Sequence, residues 1–101
     1  MTEALRSQAQ APDAETRRKA ALGLGEFRSG EALALLDVLL GDPNWRVRKA
    51  AVESLLLYPG QGTLPILFRA LYDSENAGKR NSAVEALVKL GPQVLPSVYD
   101  Q

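Results

Sequence analysis

In this chain of 101 residues, twelve Lys plus Arg offset twelve Asp plus Glu, so no global field draws it onto nucleic acid or anionic lipid. Hydrophobic residues at 46% and charged residues at 24% are the proportions of one folded domain over residues 1–101, not of a disordered chain. Cysteine and histidine are both absent, which excludes disulfides, thiolate or imidazole metal ligands, cysteine nucleophiles and Ser-His-Asp triads.

Residues 1–20 hold no apolar stretch like the core of a signal peptide, and no run approaches the roughly 20 apolar residues that span a bilayer. Together with the missing cysteines, this leads to the expectation of a cytoplasmic protein with no membrane association.

Residues 2–10 form a short opening segment whose place is set by a repeat in the rest of the chain. Three later segments are copies of one another: APDAETRRKAALGL (11–24), DPNWRVRKAAVESL (42–55) and SENAGKRNSAVEAL (74–87). In register they share Arg17, Arg48 and Arg80; Ala20, Ala51 and Ala83; and Leu24, Leu55 and Leu87. Asp13, Asn44 and Asn76 align too, as do Ala21, Val52 and Val84.

Each copy opens as a helix. Asp42 and Ser74 are expected to accept hydrogen bonds from first-turn amides, with Pro12 and Pro43 at the first helical position. Apolar stripes continue at helical spacing: Ala20, Leu24 and Phe27; Val47, Ala51, Leu55 and Tyr58; Ala83, Leu87 and Leu90. Arg28-Ser29-Gly30, Pro59-Gly60-Gln61-Gly62 and Gly91-Pro92 then read as stops and turns. Gly23 and Gly78 fall inside first helices, where each costs about 1 kcal/mol against alanine, so those helices are expected to fray more readily.

A second helix completes each copy. Leu33, Leu36 and Leu40 recur as Leu64, Leu67 and Leu71, and Leu95 and Val98 continue the series. The same interval subtracted from Leu36 and Leu40 lands on Leu5 and Ala9, so residues 2–10 read as the second helix of a partial preceding unit. The units are therefore 11–41, 42–73 and 74–101, the last with a short second helix. No segment alternates with period two, which removes the strand reading. One hairpin cannot bury both of its apolar stripes, so the fold expected is all-α: an α-solenoid of about three stacked helical hairpins.

These residues resemble HEAT repeats, in particular the short HEAT-like type of phycobilin lyases. Asp42, Pro43, Val47, Arg48, Ala50, Ala51 and Leu55 carry the likeness best. Ala11, Asp13, Thr16, Arg17, Ala20 and Leu24 carry it in the first copy; Arg80, Ala83 and Leu87 carry it in the third, where Lys79 stands in a usually hydrophobic position. The resemblance implies first helices on the convex face and second helices on the concave face, where partners dock. It also implies a structural ladder in which Arg17, Arg48 and Arg80 bond carbonyls or carboxylates such as Asp13 and Asp42.

Removing the core stripe from the second helices leaves a line of outward positions. It runs through Glu3 and Arg6; Ala34, Asp37 and Val38; Pro65, Phe68, Arg69 and Tyr72; and Pro96, Tyr99 and Asp100. Aromatics beside an arginine are the commonest binding anchors, so Phe68, Arg69, Tyr72 and Tyr99 are the expected contacts, with Asp37 and Asp100 supplying charge complementarity. Phe68 and Tyr99 equally suit gaps between units. Trp45, where the other copies have Ala14 and Ala77, suits either a binding determinant or a cover over neighbouring helix ends.

The expected function is a non-enzymatic scaffold for a protein or peptide partner along the second-helix face, with no cofactor. One alternative is an accessory domain of a phycobilin-lyase-like protein or a chaperone, as the resemblance implies. A second is nucleic-acid binding through a basic convex stripe of Arg17-Arg18-Lys19, Arg46, Arg48-Lys49 and Lys79-Arg80, which zero net charge disfavours. Charges near both ends, at Glu3, Arg6 and Asp100, point to a mostly monomeric chain with at most a weak end-to-end dimer.

Overall fold

The computed structural model describes residues 3–91, and among these there are six helices and no strand. The helices are α1 (Glu3–Gln8), α2 (Ala14–Leu24), α3 (Gly30–Leu40), α4 (Trp45–Leu55), α5 (Gly60–Leu71) and α6 (Ala77–Leu90). They form a small α-solenoid in which α2, α4 and α6 are first helices and α3 and α5 are second helices.

The first helices begin two residues later than the Asp42 and Ser74 signals predict. Asp13 caps α2 by accepting from Thr16 N at 2.9 Å, Asn44 caps α4 through Arg46 N at 2.8 Å, and Asn76 caps α6 through Lys79 N at 2.8 Å. Extended backbone at these three positions lets a short oxygen-bearing side chain fold back onto free first-turn amides. Pro12 and Pro43 consequently precede the caps. The segment Gly60-Gln61-Gly62, expected as a turn, is the first turn of α5, with Pro59 before it.

Alanine sets the spacing of the first-helix layer. Ala20, Ala21, Ala50, Ala51, Ala83 and Ala86 are all buried, and side chains this small let α2, α4 and α6 approach closely. Leucines from both layers fill the space between them. Leu24, Leu36, Leu40, Leu55 and Leu67 are fully buried, each contributing roughly 2 kcal/mol of apolar burial. The second helices bridge forward: α3 packs more extensively on α4 than on α2, and α5 packs against α6. Each hairpin therefore finishes its core on the next first helix, which is why one unit cannot stand alone.

Polar side chains tie the layers at the helix ends. Ser54 Oγ donates to the Ala21 carbonyl, Tyr58 Oη donates to the Leu24 carbonyl at 2.9 Å, and Thr63 Oγ1 donates to the Leu55 carbonyl at 3.0 Å. No buried side-chain polar atom among the described residues lacks a partner. Phe27, expected in the core stripe, lies just beyond α2 and stays partly exposed. At the other end of the first unit, α1 packs on α2, with Leu5 against Gly23 and Ala9 buried. Leu95 and Val98 lie outside the described residues.

Candidate functional site

The three repeated arginines differ in what they hold. Arg17 places Nε 2.8 Å from Asp42 Oδ2 and Nη2 3.2 Å from Asp42 Oδ1, while its Nη1 donates to the carbonyls of Ala11 and Pro12. The hydrogen bonds to Asp42 push the Arg17 pKa further up, fixing its charge. Arg48 Nη1 donates to the carbonyls of Asp42 and Pro43, and Arg80 Nη1 donates to that of Asp73. Asp42 thus joins two units: its carboxylate takes Arg17 and the Asn44 amide, and its carbonyl takes Arg48.

Asp13 accepts no hydrogen bond from a ladder arginine, unlike Asp42, and acts on Arg17 only through its charge. Its carboxylate accepts from the Thr16 hydroxyl and amide, which hold its pKa below the usual carboxylate range. Helix capping thus engages this carboxylate, leaving the ladder arginine to the loop carbonyls and the next unit's acid.

On the second helices, Asp37 is not a free anion. Arg69 Nη2 lies 3.2 Å from one of its oxygens and Lys79 Nζ lies 2.9 Å from the other, so two cations already neutralise it. Lys79 is the residue that sequence reasoning missed here. It occupies the register of Val47, which is fully buried, and from that half-buried position it extends its ammonium to the α3 surface. The signal was its departure from the hydrophobic pattern. Tyr72 stands 85% exposed, Val38 is also well exposed, and Phe68 is half-buried. Tyr99 and Asp100 lie outside the described residues.

On the first-helix side, Trp45 is 58% exposed. The Arg46 guanidinium lies 5.4 Å from the centre of its ring. Two open grooves flank it. The one between α2 and α4, about 490 Å³, is lined by Arg18, Leu22, Trp45, Lys49 and Glu53 among others; the one between α4 and α6, about 420 Å³, includes Trp45, Lys49, Asn81 and Glu85. Glu15, beside the first groove, is held by both ends of the Arg18 guanidinium, whose hydrogen bonds lower its pKa.

Among the described residues no group of three or more acidic side chains is placed to hold a metal ion, and no helix is long and apolar enough to cross a membrane. The family model of HEAT repeats matches residues 2–93. The chain belongs to the HEAT repeat family. No curated protein matches it in sequence.

HEAT repeats commonly mediate protein–protein interaction, and the family is generally a non-enzymatic scaffold. For a HEAT stack the informative residues are those that its own packing does not use. The Arg17–Asp42–Arg48 chain belongs to the stacking joints. Tyr72 and Val38 on one side, and Trp45 with its grooves on the other, lie outside the core.

Proposed function

We propose that this HEAT chain is a non-enzymatic scaffold that carries a protein partner on its second-helix side. The single observation that supports this reading is the exposure of Val38 on α3 and of Tyr72 at the C-terminal end of α5, where neither contributes to the core. Arg69 lies alongside, and its bond to Asp37 holds it across the gap between α5 and α3. Asp37 therefore acts as a positioning group for Arg69 in this reading, not as a contact in its own right. Phe68 is half-buried on the same helix, α5.

An exposed tyrosine beside an arginine combines a large apolar area with fixed hydrogen-bonding groups, the chemistry of a binding hot spot. The test is affinity capture with the intact chain and with a Tyr72→Ala, Arg69→Glu variant of unchanged helical circular dichroism. The expected result is a protein retained by the wild type and lost from the variant. Equal retention by both would sink the second-helix assignment.

A further inference from the structure

The outer face of the first helices has a pattern that the second-helix scaffold does not use. Trp45 stands between the two grooves, and Lys49 lines both of them. On an α-helix, positions 45 and 49, and 46 and 49, are neighbours, so Trp45, Arg46 and Lys49 share one face of α4. Among the described residues neither cation is held in a salt bridge, although Arg46 adds to the positive field that lowers the Glu15 pKa. Arg6, Arg17, Arg18, Arg69, Lys79 and Lys89 each have a carboxylate within ion-pair distance. Arg46 and Lys49 have none among the described residues, and Arg46 lies instead over the Trp45 ring.

We infer that this face binds an acidic peptide segment of a partner protein, with its carboxylates on Arg46 and Lys49 and an apolar side chain against Trp45 and Leu22. Leu22 lines the α2–α4 groove and is 40% exposed, so an aliphatic side chain finds apolar area beside the indole. Cations flanking an aromatic select carboxylates by charge and keep their aliphatic or aromatic surfaces for packing. The same face disfavours nucleic acid. Glu15 and Glu53 in one groove and Glu85 in the other interrupt the positive charge along which a phosphate backbone would run. A short segment needs only the Arg46–Lys49 spacing, and it can avoid those glutamates by placing its own polar residues there.

Trp45 is the only tryptophan, so its emission reports directly on this face. The experiment titrates the full chain with the blocked peptide Ser-Glu-Glu-Leu-Glu-Glu-Ser, with its glutamine counterpart, and with a short oligothymidylate. The expected result is a saturable emission change with the glutamate peptide, weakened about tenfold or more for the glutamine peptide and for Arg46→Gln and Lys49→Gln. Those two variants change exposed side chains and retain the reporter, and unchanged helical circular dichroism confirms that each is folded. An Asn81→Ala variant, in the groove but away from the charge pair, should bind as the wild type does. A response that is equal for glutamate and glutamine peptides would overturn the inference. So would tighter binding of the oligothymidylate, or an emission change that follows protein concentration alone. None of these outcomes involves Tyr72 or Arg69, so the second-helix proposal stands or falls separately.

Discussion

Arg17 in the first repeat grips Asp42 in the second with two hydrogen bonds, and the carbonyl of that aspartate receives Arg48 of its own repeat. The Arg17 and Asp42 side chains are only 17% and 6% exposed. A pair this sheltered is poorly screened, and each partner depends on the other to offset its lost hydration.

Asp42→Ala should therefore destabilise the chain by roughly 2–4 kcal/mol, because it strands a sheltered guanidinium and frees the Asn44 amide. Denaturant unfolding of Asp42→Ala, Arg17→Ala and the double variant checks this. The double variant should cost clearly less than the sum, since the second change removes a charge that the first left unpaired. Simple additivity would mean that the pair contributes nothing as a pair.

The two helical glycines should respond in opposite ways to alanine. A Cβ on Gly23 would meet Leu5 at 3.5 Å, an ordinary contact, so Gly23→Ala should gain about 0.5–1 kcal/mol from helix propensity. A Cβ on Gly78 would come within 2.9 Å of the Arg48 guanidinium carbon. Arg48 would have to shift, straining its bonds to the carbonyls of Asp42 and Pro43 and offsetting the gain. Thermal melts should show Gly78→Ala neutral or destabilising in the wild type but stabilising in an Arg48→Ala background. The same gain in both backgrounds would remove Arg48 as the reason for glycine at this position.

Gly78 also marks where sequence reading runs out. The repeat, the six described helices and most of the core follow from residue spacing, because alanine and leucine at helical intervals leave only one way to bury both stripes. The loops were harder. Asp42 stands where a cap is plausible, yet Asn44 two residues later has the extended backbone and the free amides, and the aligned Asp13, Asn44 and Asn76 carried that signal. Pairings between units, such as Lys79 with Asp37, depend on how adjacent hairpins rotate against one another, which no single-helix period encodes. Trp45 was ambiguous for the same reason: a large ring in an alanine register either covers a neighbour or faces solvent, according to packing.

Tyr58 introduces a dependence on alkaline pH. Its ring is buried, its hydroxyl donates to the Leu24 carbonyl, and burial pushes its pKa above the ordinary 10.0. A raised folded-state pKa means that the contribution is fully present below the unfolded value and is lost as pH rises through the folded one. Stability should therefore fall above about pH 10 as the unfolded tyrosine ionises first. Tyr58→Phe should cost about 1 kcal/mol at neutral pH from the lost hydrogen bond, and it should flatten the alkaline decline. Denaturant midpoints of both proteins across the alkaline range test this, and parallel declines would assign the pH effect to other groups.

Val52 and Val84 occupy the same register on consecutive first helices, yet Val52 is fully buried and Val84 is 50% exposed. The difference is a neighbour: α4 has α6 packed on its far side, and among the described residues no helix follows α6. Identical substitutions at the two sites therefore isolate the energy of stacking, because helix propensity and side-chain chemistry cancel. Val52→Asp buries a carboxylate with no partner and should cost more than about 3 kcal/mol. Val84→Asp leaves its carboxylate in water and should cost less than about 1 kcal/mol. Urea unfolding of the two variants measures the gap. A Val84→Asp cost approaching that of Val52→Asp would mean that the far face of α6 is covered in solution, and the exposed valines there, Val84 and Val88, would then be core residues of a larger stack.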